Sequence, residues 1–408
     1  MAFEFIKDCK KEDIDSFVVN SKQNSLNQET IWADVKNNWG HVFTCVKEDG
    51  KTVASAVVLF RDVPFSKTLA YVPKGPVMDY ENQELVKFMM DNLVALAKEH
   101  KAIALRFDPV VLSRKYFYKD RNNEMERNNE NVIHYLESLG ARHGGYTIHI
   151  EESTQPRFNA MMDVDDNWQD HLEHKTAKCI RSAKHKGIEI LEGKEYIKEL
   201  IQALHHTESR KGIILRNEEY FENMMDLYKD RAICMVAVLD FDKQIQKMKD
   251  SIQETNDKLK GECTKKEKNL LLQMLKNDEK ELERLQEDKK QESENRIVTC
   301  GIFAVYNDNL MELLYMGNHP KYMRMYSSYL LYATCIERCK ELHIPHCSFG
   351  GIEGTLDDGL TLFKSNWPMQ VEEYIGEFNV VLDKLVYWLF DKVYPVVRNT
   401  IIKIKSKN

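Results

Sequence analysis

Asp108 stands in Arg106-Phe-Asp-Pro109, where a proline ends a strand and leaves a carboxylate at its edge, a place from which it could orient an amine. An aspartate before proline is more often a turn residue than a base, so holding an amine is the expected role rather than taking its proton. Arg216 and Tyr220 are four residues apart and share a face if that stretch is helical, with a surface tyrosine as the plain alternative. His174, Lys175, Lys178, Arg181, Lys184, His185 and Lys186 form the most basic local run, suited to RNA phosphate or anionic lipid, or simply a solvated helix face. There is no GxSxG elbow, and the nine cysteines include no CxxC pair and no Cys/His array with zinc spacing. The motifs thus offer no recognisable signature of a metal centre or of an activated covalent nucleophile.

A chain of 408 residues is too long for one ordinary core, so two globular units with a cleft between them are expected. With 43% hydrophobic and 30% charged residues it should fold into large cores. The formal charge of −7 argues against wholesale wrapping of nucleic acid, so any RNA contact must be local. The opening MAFEFIKD lacks a basic n-region, and no apolar run is long enough to span a bilayer, so a cytoplasmic, reducing location is expected.

Periodicity predicts strands at Val53–Phe60 and Leu69–Val72, a helix over Glu84–His100, a strand at Ala102–Phe107, a helix near Asn131–Leu139 stopped by Gly140, and a strand at Tyr146–Ile150. A similar order returns later: strands Val298–Val305 and Leu310–Met316, helix Met325–Leu342, strand His346–Gly350, a segment Leu360–Trp367 and strand Val371–Ile375. Tyr71-Val-Pro-Lys-Gly-Pro76 and Tyr315-Met-Gly-Asn-His-Pro320 fall in the same slot of each half, so the halves look duplicated.

Between them, Asp242–Arg296 has no proline, almost no aromatic residue, and much Lys, Glu, Gln and Asp. Ile245, Met248, Ile252 and Leu259, then Leu271, Leu275, Leu282 and Leu285, recur at helical spacing and predict two helices of an antiparallel coiled coil reversing near Lys260–Thr264. Lys265, Lys266 and Lys268 lie near its tip; a solvated spacer or a dimer strut and an RNA contact are both open.

Several phrases in order, Trp32-Ala-Asp-Val-Lys36 with Trp39, Tyr71–Pro76 and Leu105-Arg-Phe-Asp-Pro109, then His174–Ile188, Glu208-Ser-Arg-Lys-Gly212, Gly359-Leu-Thr-Leu-Phe-Lys364 and Glu373-Tyr-Ile-Gly-Glu377, resemble the Fem peptidyltransferases over almost the whole chain. The arm is similar to that of the FemA, FemB and MurM branch, which the shorter FemX-like enzymes lack. The resemblance implies an α/β fold of two tandem acetyltransferase-like (GNAT-like) domains. Domain 1 would span residues 1–149 plus 378–408, domain 2 residues 150–241 plus 297–377, and the arm residues 242–296.

It also implies an aminoacyltransferase that moves Ala, Ser or Gly from charged tRNA to the stem-peptide amine of lipid II or a UDP-MurNAc-pentapeptide-type precursor. No cofactor is implied beyond aminoacyl-tRNA as co-substrate. By the same resemblance Lys364 sits against the transferred ester and Phe363 offers its backbone carbonyl to the incoming ammonium. Composition alone would make the first an exposed lysine and the second a core ring. Lys36 and Arg216 would hold the precursor's diphosphate, with Tyr220 and Tyr315 in the same pocket. The end segment Leu385–Phe390 with Arg398, Lys403, Lys405 and Lys407 is either domain core or a contact with the inner membrane face.

Two rivals stand beside this reading. Acetyl-CoA transfer needs a Gly-rich pyrophosphate turn, which neither Lys74-Gly-Pro76 nor Gly317-Asn-His-Pro-Lys321 supplies. A non-catalytic interaction protein using the arm is the other.

Overall fold

The computed structural model describes residues 2–211 and 216–389, with side chains of 207–211 left aside. Gly212, Ile214, Phe390 and the basic tail Arg398, Lys403, Lys405 and Lys407 lie outside the described residues.

The first part of the chain lays down β1 (Phe3–Lys7), α1 (Lys11–Val19), α2 (Ile31–Val35), β2 (Gly40–Glu48), β3 (Lys51–Val63), β4 (Lys67–Val72), β5 (Val77–Met78), α3 (Gln83–Glu99) and β6 (Ala102–Phe107). Strands β1 to β4 pair antiparallel in sequence, and α3 carries the chain back so that β6 lies parallel to β4. Helix α3 starts where the Asn82 side chain accepts the Leu85 amide and turns Leu85, Val86, Met89, Met90, Leu93, Leu96 and Ala97 onto the sheet. Each of the larger side chains contributes about 1.5–3 kcal/mol of burial.

Next come β7 (Leu112–Phe117), α4 (Glu130–Ser138) and β8 (Arg142–His143). The strand expected at Tyr146–Ile150 is not formed. Glu152 accepts the backbone amides of Ile148 and His149, so those donors are committed to a local turn instead of a ladder.

The second half holds β9 (Phe158–Asp163), α5 (His174–His185), β10 (Glu189–Glu192), α6 (Ile197–Lys211), α7 (Glu218–Tyr228) and β11 (Ala232–Asp240). Then follow α8 (Phe241–Lys260), α9 (Lys265–Gln291), β12 (Arg296–Tyr306), β13 (Leu310–Asn318), α10 (Ser327–Glu341) and β14 (His346–Ile352). The described chain closes with α11 (Gly359–Lys364), β15 (Gln370–Tyr374), β16 (Phe378–Val381) and α12 (Lys384–Trp388).

One sheet runs β1-β2-β3-β4-β6-β16-β8 with β5 on β3, the other β10-β11-β12-β13-β14-β9-β15-β7. The parallel step β4/β6 of the first recurs as β13/β14 in the second, so Tyr71 and Tyr315 occupy matching strands. β16 returns late in the chain to the first sheet, whereas β7, inside residues 1–149, pairs in the second. A continuous core joins the halves, with Trp32 and Val35 of α2 in the same cluster as Phe221 and Met224 of α7.

Helices α8 and α9 pack side by side as an antiparallel hairpin: Asp242 pairs with Lys289 near its base and Ser251 with Asp278 further out. Met248 and Leu285 are buried against the second core, and residues 261–264 make the reversal. Leu270, Leu272 and Met274 near the tip are exposed.

Cys9 and Cys45 are joined as a disulfide between partners 36 residues apart, for which cysteine spacing carries no signal.

Candidate active site

A cavity of about 320 Å3 lies where the two halves meet, and Lys36, Arg216 and Tyr315 all line it. Lys36 is the residue on which α2 ends, one turn beyond Trp32, and its ammonium rests 4.7 Å from the indole. Arg216 stands just before α7, whose cap is Asn217; that side chain accepts the Tyr220 amide at 3.1 Å. The shared helical face expected for Arg216 and Tyr220 is therefore not how they meet. The guanidinium reaches 5.1 Å over the Tyr220 ring from outside the helix, and the Tyr315 hydroxyl donates to that of Tyr220 at 3.3 Å.

Tyr315 owes its aim to a break in β13. The register with β12 shifts beside Leu314, and this irregularity brings both Glu312 and Tyr315, three residues apart, to the cavity. Glu312 carries a pKa pushed up to about 7 by burial, opposed by the Leu26 amide and by Lys74.

Asp108 follows β6 directly and is 5% exposed. One of its oxygens accepts from the Lys74 amide at 2.9 Å and the Tyr71 hydroxyl at 3.1 Å; the other has no hydrogen-bond partner among the described residues. Burial lifts its pKa to about 7 against the pull of Lys74. The Lys74 ammonium reaches into the cavity wall, 3.3 Å from the Pro156 carbonyl and 4.5 Å from the Tyr374 ring centroid, and burial lowers its pKa. Lys36 is lowered to about 8, by burial first and then by the nearby Arg216 charge. Two cations held below their ordinary basicity beside carboxyls near neutrality make a site that gains charge when an anion enters.

Lys364 ends α11 and is buried, not exposed as composition suggests; its ammonium donates to the carbonyls of Gly351 at 2.9 Å and Gly350 at 3.3 Å. Both glycines line the cavity, so the Lys364 charge acts through that wall. Phe363 is placed elsewhere. Its ring packs 5.2 Å from Tyr329 and from Tyr332 in the second core, and its carbonyl accepts from Asn366 at 2.9 Å. Lys74 and Glu312 are the residues that sequence reasoning left without a role, although Lys74 sits in the Pro-Lys-Gly-Pro phrase already singled out.

Two joined sheets with matching parallel steps meet over a cationic cleft, an arrangement that agrees with the two tandem α/β domains expected from the sequence. The FemAB family profile matches residues 9–394, and the chain belongs to that family. It is an enzyme of the aminoacyltransferase kind. Lipid II:glycine glycyltransferase of Staphylococcus aureus strain MRSA252 is 26% identical over 422 aligned positions, covering 97% of each chain. The same enzyme from strain MSSA476 gives the same figures, 26% and 97%. The crystal structure of FemX superposes with a TM-score of 0.73 at 22% identity, over 95% of this chain and 100% of that one.

Proposed function

We propose that the chain transfers an amino acid, Ala, Ser or Gly, from aminoacyl-tRNA to the stem-peptide amine of lipid II or a related UDP-linked precursor, forming an interpeptide branch. The convergence of Lys36 and Arg216, one from each half, on a single cavity carries this reading, because two cations facing one cavity suit a diphosphate. Family membership and the activity named for the staphylococcal relatives support it.

The donor ester is already activated, so the protein has to align it and balance charge. The amine nitrogen bonds to the acyl carbon, the bond from that carbon to the ribose oxygen breaks, and one proton passes from nitrogen to the departing oxygen. Glu312, which lines the cavity with a carboxyl near neutrality, is suited to relay that proton, and Asp108 holds the Lys74 loop in place. Lys364 supplies positive potential at the acyl oxygen through the Gly350–Gly351 wall, and Phe363 anchors α11. No helix among the described residues is long and apolar enough to cross a membrane. We place the work at the cytoplasmic face, where charged tRNA and precursor meet, with aminoacyl-tRNA as the only co-substrate.

Incubation with alanyl-, seryl- and glycyl-tRNA and lipid II should give a precursor heavier by one or more of those residues in a mass spectrum. Consumption of acetyl-CoA with no tRNA-dependent gain would replace this reading with the acetyltransferase one. Lys364→Met should cut the rate about a hundredfold or more while circular dichroism stays unchanged. An unaltered rate would favour a non-catalytic role for the chain.

A further inference from the structure

The two most exposed large apolar side chains among the described residues, Phe65 at 71% and Leu385 at 69%, are brought together on the first half of the molecule. Phe65 is at the tip of the β3–β4 hairpin and Leu385 is in α12. Lys67, just past Phe65, pairs with Asp383, just before Leu385, at 3.5 Å. Trp388, 56% exposed, lies one turn along α12 from Leu385. The other side of this helix is committed to the fold. Val386 and Tyr387 pack on Val63, Leu69, Ile103 and Ala104, and the Asp383 side chain accepts the Val386 amide at 3.1 Å. The described part of the end segment is therefore core on one side and apolar surface on the other.

Nothing in the fold calls for the ring at position 65. Phe65 and Ser66 have φ of 68° and 52°, the left-handed region in which glycine or asparagine is the ordinary occupant and a bulky side chain is disfavoured. An exposed ring there gains no burial to offset that cost, so its use lies outside the chain's own core. The border of the patch is basic. Lys67 and Lys384 flank the hairpin and α12, and Lys101 joins them through its carbonyl, which accepts the Thr68 amide at 3.3 Å. The sequence that continues from α12 carries Lys392, Arg398, Lys403, Lys405 and Lys407 against Asp391. In a chain of net charge −7, aromatic and aliphatic groups with a cationic border match an anionic bilayer: the apolar groups enter the headgroup boundary and the ammonium groups meet lipid phosphates.

The patch shares a face with Lys36. Along β3, Val57 and Leu59 pack in the core that holds Trp32 and Val35 of α2, Arg61 reaches 5.8 Å from the Trp39 ring centroid, and Val63 packs under α12. Val58 and Phe60, between them, pack with α3 in the other core. Alternation thus puts α2, on which Lys36 stands, and the exposed patch on the same side of the first sheet, with Leu59 and Phe65 about 20 Å apart along the strand.

We propose that Phe65, Leu385 and Trp388, with their lysine border, rest on an anionic lipid bilayer and hold the cavity at the height where the diphosphate of a lipid-linked acceptor emerges. The role in acceptor capture rests on the lipid II reading above; the contact with the bilayer does not.

The test floats the full chain with vesicles of phosphatidylglycerol and phosphatidylcholine, and with phosphatidylcholine alone, neither containing lipid II. Anionic vesicles should capture it about tenfold more strongly or better, and added salt should weaken the capture. Phe65→Ser/Leu385→Ser/Trp388→Ser removes only exposed side chains, so circular dichroism should be unchanged while vesicle affinity falls about tenfold or more. Lys101→Gln/Lys384→Gln should lose much of the preference for anionic lipid. In transfer assays the triple variant should show a raised KM for lipid II in vesicles, the parent's KM for soluble UDP-MurNAc-pentapeptide, and an unchanged kcat. A parent that ignores anionic vesicles, or a triple variant that binds them like the parent, overturns the membrane surface, while transfer to the soluble precursor keeps the transferase reading. A dimer in solution that the triple variant abolishes, without vesicle binding, gives the patch to a second copy of the chain and also overturns it. Vesicle capture without transfer from any charged tRNA upholds the surface and removes the transferase reading.

Discussion

At the scale of single residues, the site behaves as a set of groups held away from their ordinary charge states. In the proposed role Lys36 would bind an anion as the ammonium, and with its pKa lowered to about 8 the free protein loses that charge as pH rises past this value. Precursor affinity, measured calorimetrically, should therefore be flat below about pH 7 and fall toward tenfold per unit above about pH 9. Affinity independent of pH across that range would separate Lys36 from the anion. Asp108 works in the opposite sense. Its folded pKa of about 7 exceeds the unfolded value near 3.8, so its favourable contribution is complete below the lower value and is lost as pH rises through the upper one. Asp108→Asn keeps an acceptor for Lys74 and Tyr71, so its melting temperature should gain on the parent between pH 4 and 7 and hold that lead above; a constant difference would contradict the burial. Lys36, Arg216 and Tyr315 were legible because they sit in ordered phrases of a familiar kind. Glu312 was not, since a glutamate within an alternating strand has no mark until the irregularity at Leu314 turns Tyr315 toward the same cavity.

Among the elements, short caps and turns do the aiming. Asn217 directly follows Arg216 and directly precedes Glu218, the first residue of α7, so one cap fixes both the helix start and the approach of the guanidinium. Asn217→Ala should cost about 1 kcal/mol of stability and weaken precursor binding severalfold, whereas Asn217→Ser, which still caps, should do neither. Equal binding in all three proteins would show that the cap does not position Arg216. Helices α3 and α10 and the arm were legible from 3.6-residue spacing, which survives whatever packs against it. The absent strand at Tyr146–Ile150 and the unforeseen β7 have a common cause: a short run with strand composition is settled by who takes its amides. Glu152 takes those of Ile148 and His149, and β15 pairs with Leu112–Phe117.

For the whole molecule, the duplicated order of elements foretold two sheets and the resemblance implied the chain's return to domain 1 from residue 378, but nothing foretold the crossing of β7. Strand β7 crosses into the second sheet and β16 returns to the first, and pairings so distant in sequence leave no local spacing to read. The result is one core shared by α2 and α7, which fixes the elements bearing Lys36 and Arg216 relative to each other. The central claim is that these two cations hold one anion between the halves. A double-mutant cycle tests it most directly, with the affinity of lipid II for the parent, Lys36→Met, Arg216→Met and the double variant measured in one buffer. Each single change should weaken binding about tenfold or more, and the double variant should lose clearly less than the two losses combined, with tRNA affinity unchanged throughout. Strictly additive losses, or precursor affinity equal to the parent's in either single variant, would contradict a shared anion in this cavity.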